Sequence, residues 1–237
     1  MTDERLLGIV GGVGPEATAD YYRRMIDRWR VRGPASTYPA FVIDSLNSRR
    51  ALDSILAGEL DPIAELYDAS LERLAAAGAQ MAIIASVMTH IVFDRVAPKS
   101  PIPVLSIVDT LVSAAQARRI RRPLLLATRP TTEGAFFARP FEAAGIEVVR
   151  PDEPDLAWVY EIYFKELVRG DIKEETRALL IDLIEKMKIV QDIDGVILGG
   201  TELPLILREP SYAGVPVLDS SAVHVEAAID WLLEGMA

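Results

Sequence analysis

Met81-Ala82-Ile83-Ile84-Ala85-Ser86-Val87-Met88-Thr89-His90 is an apolar run that ends in a short polar turn. A continuous apolar run without alternation reads as a strand buried on both faces. Such strands belong to parallel sheets covered by helices. The pattern recurs later in the chain. Gly195-Val196-Ile197-Leu198-Gly199 leads into Gly200-Thr201-Glu202-Leu203-Pro204. Each copy is followed by a second apolar stretch, Ile102-Pro103-Val104-Leu105-Ser106 in the first and Val215-Pro216-Val217-Leu218-Asp219 in the second. From Ser86 to Pro103 is 17 positions, and from Gly200 to Pro216 is 16. The openings correspond as well: residues 6–10 precede Gly11-Gly12, and residues 124–127 precede Thr128-Arg129.

Two related half-chains predict an α/β protein of two pseudo-symmetric lobes, each with a parallel sheet. Strands are expected at 6–10, 41–43, 81–85, 103–107, 124–127, 147–149, 196–198 and 215–218. Helices are expected over 16–30, with Pro15 at the first turn, over 62–77 with Gly78 as its cap, and from about 109. Further helices are expected near 132–145, 154–169 and 173–190. We place the first lobe at 1–99 plus 212–237 and the second at 100–211. Open α/β sheets bind ligands beyond the carboxyl ends of their strands. The loops after the strands are therefore expected to meet at a small-molecule cleft between the lobes.

The totals narrow the function. The chain has 237 residues, half of them hydrophobic, and a net charge of −10. A field of that sign repels polyanions, so no nucleic-acid partner is expected. The run Arg118-Arg119-Ile120-Arg121-Arg122 reads as a solvated helix end. There is no cysteine, which excludes disulfides, thiolate metal sites and thiol catalysis. With only His90 and His224 as imidazoles, no metal site is expected. Met1 leads into the charged Asp3-Glu4-Arg5 rather than a secretory signal, and no run approaches the roughly 18 apolar residues of a membrane span. The expected location is the cytoplasm, with no membrane partner.

Five loops carry groups that could do chemistry. Gly11-Gly12-Val13-Gly14-Pro15-Glu16-Ala17-Thr18 is either a backbone cradle for an anion or a tight strand-to-helix turn. It lacks the third glycine of a dinucleotide fingerprint. Ser86 to His90 could hold a carboxylate through its hydroxyls, or His90 could be a structural histidine. Thr128-Arg129-Pro130-Thr131-Thr132-Glu133 is either a carboxylate site or simple N-capping by Thr131. In Gly199 to Pro204, Glu202 is a candidate acid/base or an ordinary helix-start residue. Asp219-Ser220-Ser221-Ala222-Val223-His224 opens the last helix, with Asp219 or Ser220 as its cap and His224 facing either the cleft or the core.

Taken together, these loops resemble the aspartate/glutamate racemase family. Gly11 to Thr18 looks like its G-G-M-G-P-x-A-T, and Gly199 to Pro204 like its G-C-T-E-L-P. Ser86 to His90 stands where the family shows C-N-T-A-H. Thr128 and Thr131 match its T-x-x-T, and Pro216 to Ser221 with His224 match its closing P-V-x-D-T-T and His. The resemblance implies a cofactor-independent, commonly dimeric enzyme of two α/β lobes. It also implies two cysteines on opposite faces of the substrate Cα, one removing the α-proton and the other returning one. Here those positions are Ser86 and Gly200. A serine hydroxyl is too weak an acid to replace a thiolate, and glycine offers no side chain. Val87 and Met88 replace the polar pair that follows the first cysteine.

Three readings follow. The first is an isomerase-class relative acting at the α-carbon of an acidic amino acid or related carboxylate, with no cofactor and as a homodimer. Ser86 and Gly200 would flank the reacting carbon, and His90, Glu202 and His224 are the acid/base candidates, with Asp44 and Glu16 behind them. Substrate contacts would come from Gly12, Thr18, Val87, Met88, Thr128, Thr131 and Thr201, with Arg49 or Arg50 on a distal carboxylate. The second is a non-catalytic carboxylate-binding protein. The third is a decarboxylase-like lyase, which needs an apolar pocket that Val87 and Met88 could furnish.

Overall fold

A computed structural model describes residues 4–47 and 49–236, with the side chains of residues 50–52 and 56 outside the description. The chain divides into two compact units, one of residues 1–107 with 221–237 and the other of residues 108–220.

The first unit is built on the parallel sheet β2-β1-β3-β4: β1 is Leu7–Gly11, β2 Phe41–Ser45, β3 Met81–Ile84 and β4 Val104–Leu105. β1 pairs with both β2 and β3, Ile9 standing opposite Ile43 and Ile83. Alternate residues of β1 feed opposite faces, as strand geometry requires. Leu7 and Ile9 pack with Tyr21, Met25 and Trp29 of helix α1 (Pro15–Arg32) and with Val225 and Ile229 of the C-terminal helix. Val10 packs on the other face with Ile63, Tyr67, Leu71 and Leu74 of α3 (Asp61–Ala76). Helix α2 (Arg49–Leu56) precedes α3, and the single turn α4 (Phe93–Val96) follows β3. Both faces of the sheet are thus covered, as the unbroken apolar strands predict.

The second unit carries the order β5-β6-β8-β7, with β5 at Pro123–Leu126, β6 at Gly195–Leu198, β7 at Ser211–Tyr212 and β8 at Val215–Asp219. β5, β6 and β8 are parallel, and β7 runs antiparallel at the edge. Its helices are α5 (Ile107–Ala117), α6 (Arg129–Glu133), α7 (Ala135–Ala143), α8 (Glu153–Lys165), α9 (Glu174–Gln191) and the single turn α10 (Leu203–Ile206), whereas α11 (Ser220–Glu234) is the C-terminal helix that packs in the first unit. Leu124, Leu126, Val196 and Leu198 pack against Val159 and Tyr163 of α8 and Leu180, Ile184 and Met187 of α9.

Several expectations shift. Residues 147–149 form no strand; only Val149 bridges to Leu124. The helix expected near 132–145 is two helices divided at Gly134. The units divide later in the chain than the expected 99/100 and 211/212, because a strand belongs to the sheet it hydrogen-bonds. β4 pairs with β3 in the first sheet, and β8 pairs with β6 in the second. The arginine run lies at the end of α5, where Arg118 donates to the Val217 carbonyl and Asp194 receives the Arg121 and Arg122 amides. Among the described residues no helix is long and apolar enough to cross a membrane.

Candidate functional site

Each expected loop follows the carboxyl end of a strand. In the first unit, the glycine loop after β1 is held by Thr18. Its hydroxyl accepts from the Gly12 amide at 2.9 Å and donates to the Gly14 carbonyl at 3.0 Å. Gly12 has φ +82°, and a β-carbon there would lie 2.3 Å from the Leu46 carbonyl oxygen. The loop is therefore a tight turn fastened by its own helix. Thr18, expected as a substrate contact, has its hydroxyl bonded to the backbone of this loop.

Ser86 follows β3 and is buried. Its carbonyl accepts from His90 Nδ1 at 2.7 Å, and His90 Nε2 accepts from the Ile107 amide at 3.2 Å. These partners fix the neutral tautomer with the proton on Nδ1. The ring stacks on Phe93 at 5.0 Å, and burial lowers its pKa to about 4. His224 is tied in the opposite sense. Nε2 donates to the Leu105 carbonyl at 3.0 Å, and Nδ1 accepts from the Tyr21 hydroxyl at 3.0 Å. Burial, with the nearby His90, lowers its pKa to about 3. Both histidines were expected as acid/base candidates, and each of their ring nitrogens is hydrogen-bonded within the protein. The two imidazoles hold the strand-to-helix link at Leu105 and Ile107.

The remaining first-unit candidates are similarly placed. Val87 is buried, and Met88 packs against the α3 side of the core. Asp44 accepts from Ser70 Oγ at 2.6 Å and from Arg73 Nη2 at 2.6 Å. Glu16 and Arg49 are exposed, on α1 and α2. The Arg50 side chain lies outside the described residues.

In the second unit, Thr128 and Thr131 are buried with their hydroxyls 3.3 Å apart. Thr131 lies inside α6 rather than at its cap, and Thr128 occupies the cap position without a side-chain capping bond. Thr132 donates back to the Thr128 carbonyl. The pair Thr128 and Thr131 is thus not consumed by capping. After β6, Glu202 is buried and accepts from Thr201 Oγ1 at 3.1 Å and from the Tyr163 hydroxyl. Thr201, expected as a substrate contact, directs its proton to Glu202 in the structure. Burial raises the Glu202 pKa. Burial also raises that of Tyr163, as does the Glu202 charge beside it. Gly200 lies against the same tyrosine: a β-carbon there would stand 2.4 Å from Tyr163 Cε2 and 2.7 Å from its hydroxyl oxygen.

Tyr163 escaped the sequence reading, because an aromatic residue in a helix reads as core. At the start of α11, the buried hydroxyls of Ser220 and Ser221 have no hydrogen-bond partner, so Ser220 does not cap that helix.

The chain matches known proteins over nearly its whole length. A family model described as Asp/Glu/Hydantoin racemase matches residues 10–228. A candidate Asp/Glu racemase from Yersinia pestis is 30% identical, with 97% of this chain and 99% of that one covered and a TM-score of 0.87. An aspartate racemase homologue from Pyrococcus horikoshii OT3 is 31% identical over 97% of this chain and 99% of that one, with a TM-score of 0.81. The broad specificity amino-acid racemase RacX of Bacillus subtilis (strain 168) is 22% identical, covering 96% of this chain and 98% of RacX.

Proposed function

Since the chain belongs to the Asp/Glu/Hydantoin racemase family, we propose that it is an isomerase-class enzyme acting at the α-carbon of a small acidic amino acid or related carboxylate. It would work without a cofactor and without the family's two-thiol mechanism. The observation that supports this reading most is the survival of polar strand-end loops in a chain without cysteine. Thr128 and Thr131 keep two buried hydroxyls side by side. Two O–H donors suit a carboxylate, which accepts hydrogen bonds and donates none. Glu202 remains as a buried ionisable group whose pKa is raised by burial, the kind of group that acid/base work uses. By the resemblance of their loops, Ser86 and Gly200 would stand at the positions of the two family cysteines. The family resemblance further supports a cytoplasmic homodimer.

The lyase reading needs a free apolar wall. Met88 is engaged with the core of its own unit, so that reading gains nothing from the geometry.

The test is incubation with L- and D-aspartate and L- and D-glutamate in deuterated water. Loss of the Cα proton signal is followed by NMR, and binding by calorimetry. Exchange with any of the four supports the isomerase reading. Binding without exchange would assign a carboxylate-binding protein instead, and neither would overturn both.

A further inference from the structure

The family resemblance puts a thiol at position 200, and this chain puts a tyrosine ring in the space that thiol would need. The β-carbon direction of Gly200 points into Tyr163: Cε2, the hydroxyl oxygen and Cζ would lie 2.4, 2.7 and 2.9 Å away. The same hydroxyl donates to Glu202, whose carboxylate also accepts from Thr201. Gly200 lies two residues past Leu198, the carboxyl end of β6, where open α/β sheets bind their ligands. A phenol and a carboxylate, hydrogen-bonded to each other, therefore stand where the second acid/base is missing.

We propose that Tyr163 and Glu202 form a single acid/base pair that replaces the second thiol, Tyr163 exchanging the proton with the substrate Cα and Glu202 taking the relayed proton. The proposal rests on the reading of the substrate as an acidic amino acid. In the resting pair the negative charge is on Glu202 and the proton is on the Tyr163 oxygen. The substrate Cα–H bond breaks, and its electron pair stays on Cα, delocalised into the adjoining carboxylate. The proton goes to the Tyr163 oxygen while the phenol's own proton crosses to Glu202. The pair ends as phenol and carboxylic acid, opposite a substrate carbanion. While the carbanion stands, the proton received by the Tyr163 oxygen is exchanged for one from solvent; the reverse step then returns that solvent-derived proton to the same face and restores the charge on Glu202. Thr201 is a positioning residue that orients the carboxylate.

A thiol on each face inverts the centre, whereas one pair on one face does not. Ser86 offers no base comparable to a thiolate. The pair therefore exchanges the Cα proton on one face faster than the centre inverts, and inversion, the isomerase outcome, is the slower of the two. A site of this kind suits steps in which a carbanion is made and reprotonated on one side.

The experiment uses the full chain and the same four amino acids in deuterated water, with chiral chromatography of the recovered substrate. Exchange is expected with configuration retained. Tyr163→Phe keeps the ring packed over Gly200 but removes the hydroxyl, and Glu202→Gln keeps the shape but removes the base. Each is expected to lower the exchange rate by about 10²-fold or more, with urea unfolding confirming that the variants fold. Exchange in Tyr163→Phe within about threefold of the parent, well short of a general-base contribution, would overturn the pair and leave the isomerase reading standing. Inversion keeping pace with exchange would overturn it too. No exchange by the parent with any of the four would overturn the pair and the isomerase reading together.

Discussion

The ring of Tyr163 fills the space that any side chain at Gly200 would occupy: a β-carbon there would stand 2.4 Å from Cε2. The ring has little room to retreat, since Tyr163 is packed into the α8–α9 core and its hydroxyl is held by Glu202. Overpacking a filled site costs about 1–3 kcal/mol. Gly200→Ala should lose that much by urea unfolding, and Tyr163→Leu should relieve part of it. The double variant would then be more stable than the sum of the single effects predicts. A Gly200→Ala protein as stable as the parent would refute the contact. The same geometry means that Gly200→Cys alone cannot restore a family thiol without moving Tyr163.

His90 and His224 are buried as neutral rings, with pKa values lowered to about 4 and about 3. In the unfolded chain both return toward 6.5. Between those values the unfolded state binds more protons, so their contribution is full above pH 6.5 and is lost as pH falls toward 4 and 3. From pH 7 to pH 5 the loss is about 2 kcal/mol per histidine. Glu202 works in the opposite sense, because its raised pKa lets the folded state take up a proton as pH falls. Site-specific NMR separates the two effects. Both imidazole Cε1–H resonances should stay at neutral-ring positions down to pH 5, and a midpoint near 6.5 for either would show that it is solvated and free to titrate.

The apolar strands were legible because burial on both faces leaves an unbroken run, as in residues 81–85 and 195–199. β7 was not, since a two-residue edge strand has no period to detect. The partners of the acid/base candidates were not legible for a different cause. His90 looks catalytic in a strand-end loop until its ring is seen to meet Ile107, and His224 until it meets Leu105. Tyr163 looks like core until Gly200 is seen beneath it. Residue type and local spacing do not encode which distant backbone atom a side chain will satisfy. Sequence therefore located the loops, while the protonation roles within them depended on contacts from remote parts of the chain.

Asp44 gathers two donors of unequal worth. Ser70 is fully buried and donates to the carboxylate at 2.6 Å, whereas the Arg73 side chain is half exposed. A hydrogen bond to a charged group contributes about 1.5–3 kcal/mol, and an exposed ion pair about 0–1. Ser70→Ala should therefore destabilise the protein clearly more than Arg73→Gln in urea. The reverse order would mean that the arginine, not the serine, anchors α3 to β2.

Gly12 and Gly58 have nearly the same backbone angle, φ +82° and +80°, in opposite surroundings. Both sit where an L side chain is strained, at a cost of about 1–2 kcal/mol. At Gly58 nothing lies within 4 Å of the added carbon, so Gly58→Ala should show that strain and little more. At Gly12 the carbon would lie 2.3 Å from the Leu46 carbonyl oxygen and 2.4 Å from its amide nitrogen. Leu46 cannot yield alone, because its amide is bonded to the Gly11 carbonyl at 3.0 Å. Relief would have to pull the end of β2 away from β1 and break the loop that Thr18 fastens. Gly12→Ala should consequently cost well over the roughly 1–3 kcal/mol of backbone strain alone. Paired urea unfolding of the two variants measures the difference. Equal losses would mean that the loop after β1 relaxes freely, and that its glycine is needed for conformation rather than for close approach.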